Sequence, residues 1–180
     1  MKNLLERLPA FDSKHKCYNV IIETPKGSRF KYAYDFESGL LELKRALPKG
    51  LMFPFNFGFI PGTRGDDGDP LDILILNEEP LVAGCLLKAH IIGVLKARQT
   101  EKRETTRNDR LIGLAIGKQT PDELKAIRLE NEILSQIEFF FVSYNRLCGK
   151  KFKVLGTGGP QKARAIIRRG IESTRKKNKT

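Results

Sequence analysis

The sequence predicts a mainly β domain with α-helices (α+β), its many short strands arguing for an antiparallel barrel rather than a parallel sheet. Two observations carry that expectation. The first two thirds of the chain hold short segments rich in β-branched and aromatic residues, separated by clusters of Gly, Pro, Asp and Asn. The last third holds two stretches with apolar residues at helical spacing.

In chain order, the predicted strands are Cys17–Glu23, Arg29–Asp35, Leu40–Lys44, Leu71–Leu76, Cys85–Lys96 and Arg110–Ile116. Glu37-Ser38-Gly39 is a turn signal, so the second and third should form a hairpin. Arg98–Asp109 (RQTEKRETTRND) has no apolar period and reads as a long exposed loop. Thr120-Pro121-Asp122-Glu123 then offers an N-cap, a first-turn proline and a capping-box glutamate. With Leu124, Ile127, Leu134, Ile137 and Phe141 on one face, it predicts a helix from Pro121 to Tyr144. After Gly156–Gly159 and Pro160, Ala163, Ile166, Ile167 and Ile171 mark a second amphipathic helix.

At 180 residues the chain has the length of one domain, residues 1–180, with 40% apolar residues to build its core. No segment approaches the roughly 18 apolar residues of a membrane span, so no membrane partner is expected. The first residues lack the apolar stretch of a secretory signal, which predicts a cytoplasmic protein. The three cysteines are scattered without a C-x-x-C pair and read as reduced thiols. The net charge is +12, and residues 162–180, a basic C-terminal helix and tail, carry eight basic side chains against Glu172 alone. A solvated helix end accounts for that pattern, and contact with nucleic acid is the alternative.

The chemistry concentrates in Asp66-Asp67-Gly68-Asp69-Pro70-Leu71-Asp72, four carboxylates within seven residues. Carboxylates that close repel one another unless a cation sits among them, and a divalent metal with hard oxygen ligands is the natural candidate. An acidic surface turn is the plainer reading. The spacing excludes an EF-hand, which needs Gly at the sixth position and Glu at the twelfth. Lys31, Arg45 and Arg110 lie on neighbouring strand candidates, so metals on one side and phosphate-binding cations on the other would suit phosphoryl transfer.

The Asp67–Asp72 segment, DGDPLD, resembles the D-x-D-P-x-D signature of family I soluble inorganic pyrophosphatases. Ile21-Ile22-Glu23, Phe30-Lys31-Tyr32, Lys44-Arg45, Phe53–Ile60, Gly93–Lys96 and Phe140–Tyr144 resemble that family's segments in the same order, covering Val20 to Phe152. The resemblance implies a five-stranded OB-like closed barrel with helices outside. It implies that Asp67 and Asp72 bind metal, with Glu23 near them, and that Asp69 takes a proton from the attacking water. Lys31, Arg45, Arg110 and Tyr144 would hold phosphate oxygens. The cofactor would be Mg²⁺, with Mn²⁺ or Zn²⁺ as substitutes, the substrate pyrophosphate, and the assembly a homo-oligomer, hexameric or dimeric.

The chain also departs from that pattern. Ala33 stands where the family has glutamate, Phe57 where it has tyrosine, and Asn145 where it has lysine; Arg110 replaces a lysine. The family places two further metal-binding aspartates between residues 98 and 109. The register puts Asn108 at the second of these, and Glu101 or Glu104 is a candidate for the first. An amide ligates Mg²⁺ without bringing charge, so one metal should bind more weakly. Three functions remain open: an active pyrophosphatase, a weak or inactive relative binding a phosphate compound or nucleic acid, and an enzyme for a larger phosphoanhydride.

Overall fold

The computed structural model describes residues 5, 8–116 and 129–177. The elements run β1 (Phe11–Asp12), β2 (Cys17–Thr24), β3 (Phe30–Asp35), β4 (Leu40–Ala46), β5 (Asn56–Ile60), β6 (Leu71–Ile75), β7 (Leu86–Glu101), β8 (Glu104–Arg107), β9 (Arg110–Ala115), α1 (Asn131–Leu147), β10 (Lys151–Gly158) and α2 (Pro160–Lys177). Strand β7 is the frame. At 16 residues it is long enough to pair with β2, β8, β9 and β10 along its length.

The pairings run round a ring: β2 with β5, β5 with β6, β6 with β9, β9 with β7, and β7 back to β2. This is the five-stranded, OB-like arrangement, with helices packed against it. The expectation of a wholly antiparallel barrel needs one correction, because β6 and β9 run parallel, with Ile73 opposite Leu111. The β3–β4 hairpin forms as expected in a separate two-stranded sheet. Thr24 in β2 docks it, its hydroxyl donating to the Tyr32 carbonyl (3.2 Å) and accepting from the Tyr32 amide (3.0 Å).

Two apolar clusters flank the ring. On one side Val20, Ile22, Ile73, Ile75, Val94 and Leu111 meet Ala163, Ile166 and Ile167 of α2. On the other, Leu74, Leu95 and Ile112 join Phe53, Phe57, Phe152 and the α1 residues Ile137, Phe140, Phe141 and Tyr144. Alternate residues of β6 therefore enter different clusters. Burial on both faces is why the end of that strand reads as an unbroken apolar run.

Three expectations fail for identifiable reasons. The segment from Arg98 to Asp109 is a β-hairpin rather than a loop: β7 and β8 pair through Glu101↔Glu104, and the Thr100 and Thr105 hydroxyls meet at 2.8 Å. Lys102 and Arg103 make its turn with φ of 46° and 72°, a conformation usually given to Asn-Gly, so the turn carried no signature. The first predicted helix begins at Asn131, after an extended Glu130 (φ −69°, ψ 145°), and ends at Leu147 rather than spanning Pro121 to Tyr144. The capping signals at 120–123 lie outside the described residues. Strands β5 and β10 were absent from the sequence reading, β5 because all five of its residues are buried and no polar alternation marks it. All three cysteines are free thiols. Among the described residues, no helix is long and apolar enough to cross a membrane.

The closest approach in the ring is at Gly58, where a Cβ would stand 1.9 Å from the Ile21 carbonyl oxygen. Backbone cannot yield as a flexible side chain does. Gly58→Ala should lower stability by about 3 kcal/mol in denaturant titration. Gly159→Ala, with nothing within 4 Å, should change it by less than about 0.5 kcal/mol.

Candidate active site

A cleft of about 690 Å³ opens between the β3–β4 hairpin, the Asp67–Asp72 segment, the β7–β8 hairpin and α1. Its lining includes all ten residues singled out from the sequence: Glu23, Lys31, Arg45, Asp67, Asp69, Asp72, Glu101, Asn108, Arg110 and Tyr144. They come from distant parts of the chain. The ring and its hairpins bring them together.

The acidic loop is built around a buried hydroxyl. Thr63 Oγ1 donates to the Ile60 carbonyl (2.5 Å) and accepts from the Leu71 amide (3.0 Å), so the loop leaves β5 and enters β6 at fixed points. Gly65 N donates to the Asp69 carbonyl (2.7 Å), and Gly68 turns the chain at φ 92°. Asp67 Oδ1 accepts from the Asp69 amide at 3.3 Å. Burial and the neighbouring Asp72 charge push the Asp67 carboxyl up to about 6. Asp72 is also raised, chiefly by desolvation, against the pull of Arg110 and Lys31.

Glu23 sits at the end of β2, with Oε1 accepting the Tyr34 amide at 2.7 Å. Burial pushes its carboxyl up to about 7, and the charges of Asp72 and Asp69 add to the effect. Lys31 and Arg45 are direct cross-strand partners in the β3–β4 hairpin, so both project from one face. Desolvation lowers the Lys31 pKa. Tyr144 is 8% exposed, and its ring stacks on Phe140 at 5.8 Å.

Arg110 opens β9. The parallel register sets it beside Asp72, and its Nη1 donates to Asp72 Oδ2 at 2.5 Å and to Asn108 Oδ1. Its guanidinium carbon lies 4.7 Å from the Phe141 ring centre, 5.5 Å from Phe152 and 6.0 Å from Phe57. Three rings therefore hold one cation by its π-faces. Phe57, which has no hydroxyl, serves as a platform for Arg110 and for Lys31 Nζ at 5.9 Å. Asn145 is buried and donates back to the Phe141 carbonyl within its own helix (2.8 Å).

The β7–β8 hairpin sorts its side chains by alternation. Asn108 faces the cleft, whereas Asp109 accepts from the Ala97 amide (2.9 Å) and Arg107 Nε (2.5 Å) and lines a second cavity with Lys96 and Arg98. Glu101 stands at the cleft rim in a 2.6 Å ion pair with Lys150. Among the cleft residues the sequence did not single out are Lys150 and Gln99, whose Oε1 accepts from Asn108 Nδ2 at 3.3 Å. Reading residues 98–109 as alternating strand would have found Gln99. Among the described residues, no three Asp, Glu, His or Cys side chains are gathered into a ready-made metal cluster.

The family model for inorganic pyrophosphatase matches residues 20–175. The chain belongs to that family. An inorganic pyrophosphatase of Nanoarchaeum equitans is 39% identical over 159 residues, covering 86% of this chain and 96% of that protein. One from Aquifex pyrophilus is 37% identical over 164 residues, covering 89% and 90%. The crystal structure of an inorganic pyrophosphatase from Neisseria gonorrhoeae superposes with a TM-score of 0.83 at 30% identity, covering 96% of this chain and 99% of that one. The family segments recognised in the sequence thus sit on the family's fold.

Glu23 makes the metal-free protein sensitive to pH. A carboxyl whose folded pKa is raised stabilises most below its ordinary value of 4.5, and that contribution is lost as pH rises toward about 7. In EDTA, Glu23→Gln should therefore unfold at higher denaturant than the parent at pH 8, by roughly 3 kcal/mol at about 1.36 kcal/mol per pKa unit. Near pH 4 the two should coincide. Equal stability at both pH values would show that Glu23 is not desolvated.

Proposed function

We propose that this protein hydrolyses inorganic pyrophosphate to two phosphates. One observation carries the reading: the carboxylates Asp67, Asp69 and Asp72 share a single cleft with the paired cations Lys31 and Arg45. Such a cleft complements a highly charged phosphoanhydride attacked by water.

The donor chemistry of the acidic wall fits a hard divalent cation. Glu23, Asp67 and Asp72 are all carboxylates, and each is pushed up by burial and acidic neighbours in spite of Arg110 and Lys31, so the wall's negative charge is not fully compensated. We assign Mg²⁺ to Asp67 and Asp72 with Glu23 beside them, Mn²⁺ or Zn²⁺ being substitutes. Bound there, the ion supplies charge neutralisation and a lower pKa for water.

The chain's own residues do the rest. Asp69 lies between the two assigned ligands in sequence, is exposed, and takes the proton from the attacking water. Lys31 and Arg45 bind phosphate oxygens from the hairpin face, and Arg45 offers the planar fork that suits them. Tyr144 donates its hydroxyl from α1. Arg110 brings fixed positive charge to the side of the cleft opposite the hairpin. We place the enzyme in the cytoplasm as a homo-oligomer; family membership supports both, and the exposed Phe139 (70%) and Leu147 (56%) on α1 support a contact surface.

Phosphate release from pyrophosphate, titrated with Mg²⁺, tests the reading. Asp69→Asn should lower kcat by about 10²–10⁴-fold. Arg45→Met should act on KM as well, because it removes a ground-state contact to phosphate. Absence of metal-dependent release at any Mg²⁺ concentration would refute the proposed reaction.

A further inference from the structure

The cleft has two chemically different walls. The acidic wall comes from β2 and the loop into β6; the other comes from β7, β8 and β9 and presents Gln99, Asn108 and Arg110. On this second wall both amide oxygens are already engaged by protein donors. Asn108 gives its NH₂ to Gln99 (3.3 Å), while its oxygen accepts from Arg110 Nη1. The same Nη1 reaches Asp72 Oδ2 at 2.5 Å, so one guanidinium bridges the two walls.

A divalent cation seated at Asn108 would have to displace that guanidinium. The side chain of Arg110 is 6% exposed and lies among three aromatic rings. Amide oxygens bring no charge to offset the repulsion between a dication and a fixed monocation about 4 Å away. The nearest acid, Asp72, already gives Oδ2 to the same Nη1, and the others do not supply it either. Glu101 is held by Lys150, and Glu104 stands four residues along from Asn108, about 13 Å at strand spacing.

We propose that Arg110 is a built-in cation that restricts divalent metal to the acidic wall, leaving the Gln99–Asn108 wall without metal. This rests on the pyrophosphatase reading for its substrate but not for its metal count. Arg110 holds Asp72 Oδ2 in one orientation and keeps positive charge at the second wall whether or not metal is present. The enzyme then needs fewer ions, and its second wall works at any Mg²⁺ concentration.

Mn²⁺ counted per chain by EPR of the free ion, without pyrophosphate, decides the matter. Gln99→Ala/Asn108→Ala should leave the number and affinity of bound Mn²⁺ within about two-fold of the parent, whereas Asp72→Asn should lose affinity at least tenfold. Loss of one Mn²⁺ per chain in the double variant would overturn the proposal. Arg110→Met, which frees the oxygens of Asp72 and Asn108, should gain one Mn²⁺ or bind it at least tenfold more tightly; a titration identical to the parent would also overturn it. Circular dichroism confirms folding of each variant. Phosphate release on the same preparations separates the two claims: no hydrolysis with the expected Mn²⁺ counts refutes the reaction and supports the role of Arg110.

Discussion

A guanidinium held between a carboxylate and three aromatic rings is the contact on which the architecture turns. Burying an ion pair costs several kcal/mol of desolvation per charge, and Arg110 recovers this from Asp72, Asn108 and the faces of Phe57, Phe141 and Phe152. Those rings come from β5, α1 and β10, and two of them, Phe57 and Phe141, both close one apolar cluster and line the cleft. The parallel pairing of β6 with β9 gives the contact its register. Shifting either strand by one residue would send Asp72 or Arg110 to the other face.

The same alternation explains why one hairpin serves two cavities. Gln99 and Asn108 point into the cleft, while Arg98, Arg107 and Asp109 face the basic cavity behind it. Asp109, next along the chain, cannot stand in for the amide at Asn108. Its carboxylate is committed to the Ala97 amide and to Arg107 on the far side.

Much of this was legible in the sequence where short-range chemistry fixes the outcome. The β3–β4 hairpin followed from its turn residues, and the cleft acids followed from the clustering of carboxylates at Asp66–Asp72 together with the family resemblance of the DGDPLD segment. What stayed hidden depends on long-range partners. Asn56–Ile60 is a strand because β2 and β6 flank it, and its Gly58 is there because Ile21 comes so close. Lys102 and Arg103 adopt left-handed conformations because β7 and β8 are held in register around them. Gln99 was overlooked for a chemical reason. A neutral amide carries no charge pattern to announce it, and only its pairing with Asn108 reveals that this wall is polar without being acidic.

The charge asymmetry of the cleft also fixes what the fold can tolerate. Carboxyls raised toward 6 and 7 at Asp67 and Glu23 represent stability given up in the cation-free protein, a cost that a purely structural site would have no reason to carry. That strain is confined to the acidic wall, where the proposed cation would relieve it. On the opposite wall the compensation is covalently part of the chain, since the Arg110 charge cannot dissociate. A site divided in this way keeps its second wall organised when metal is scarce, and leaves the affinity of the acidic wall as the variable by which the ion supply can control the reaction.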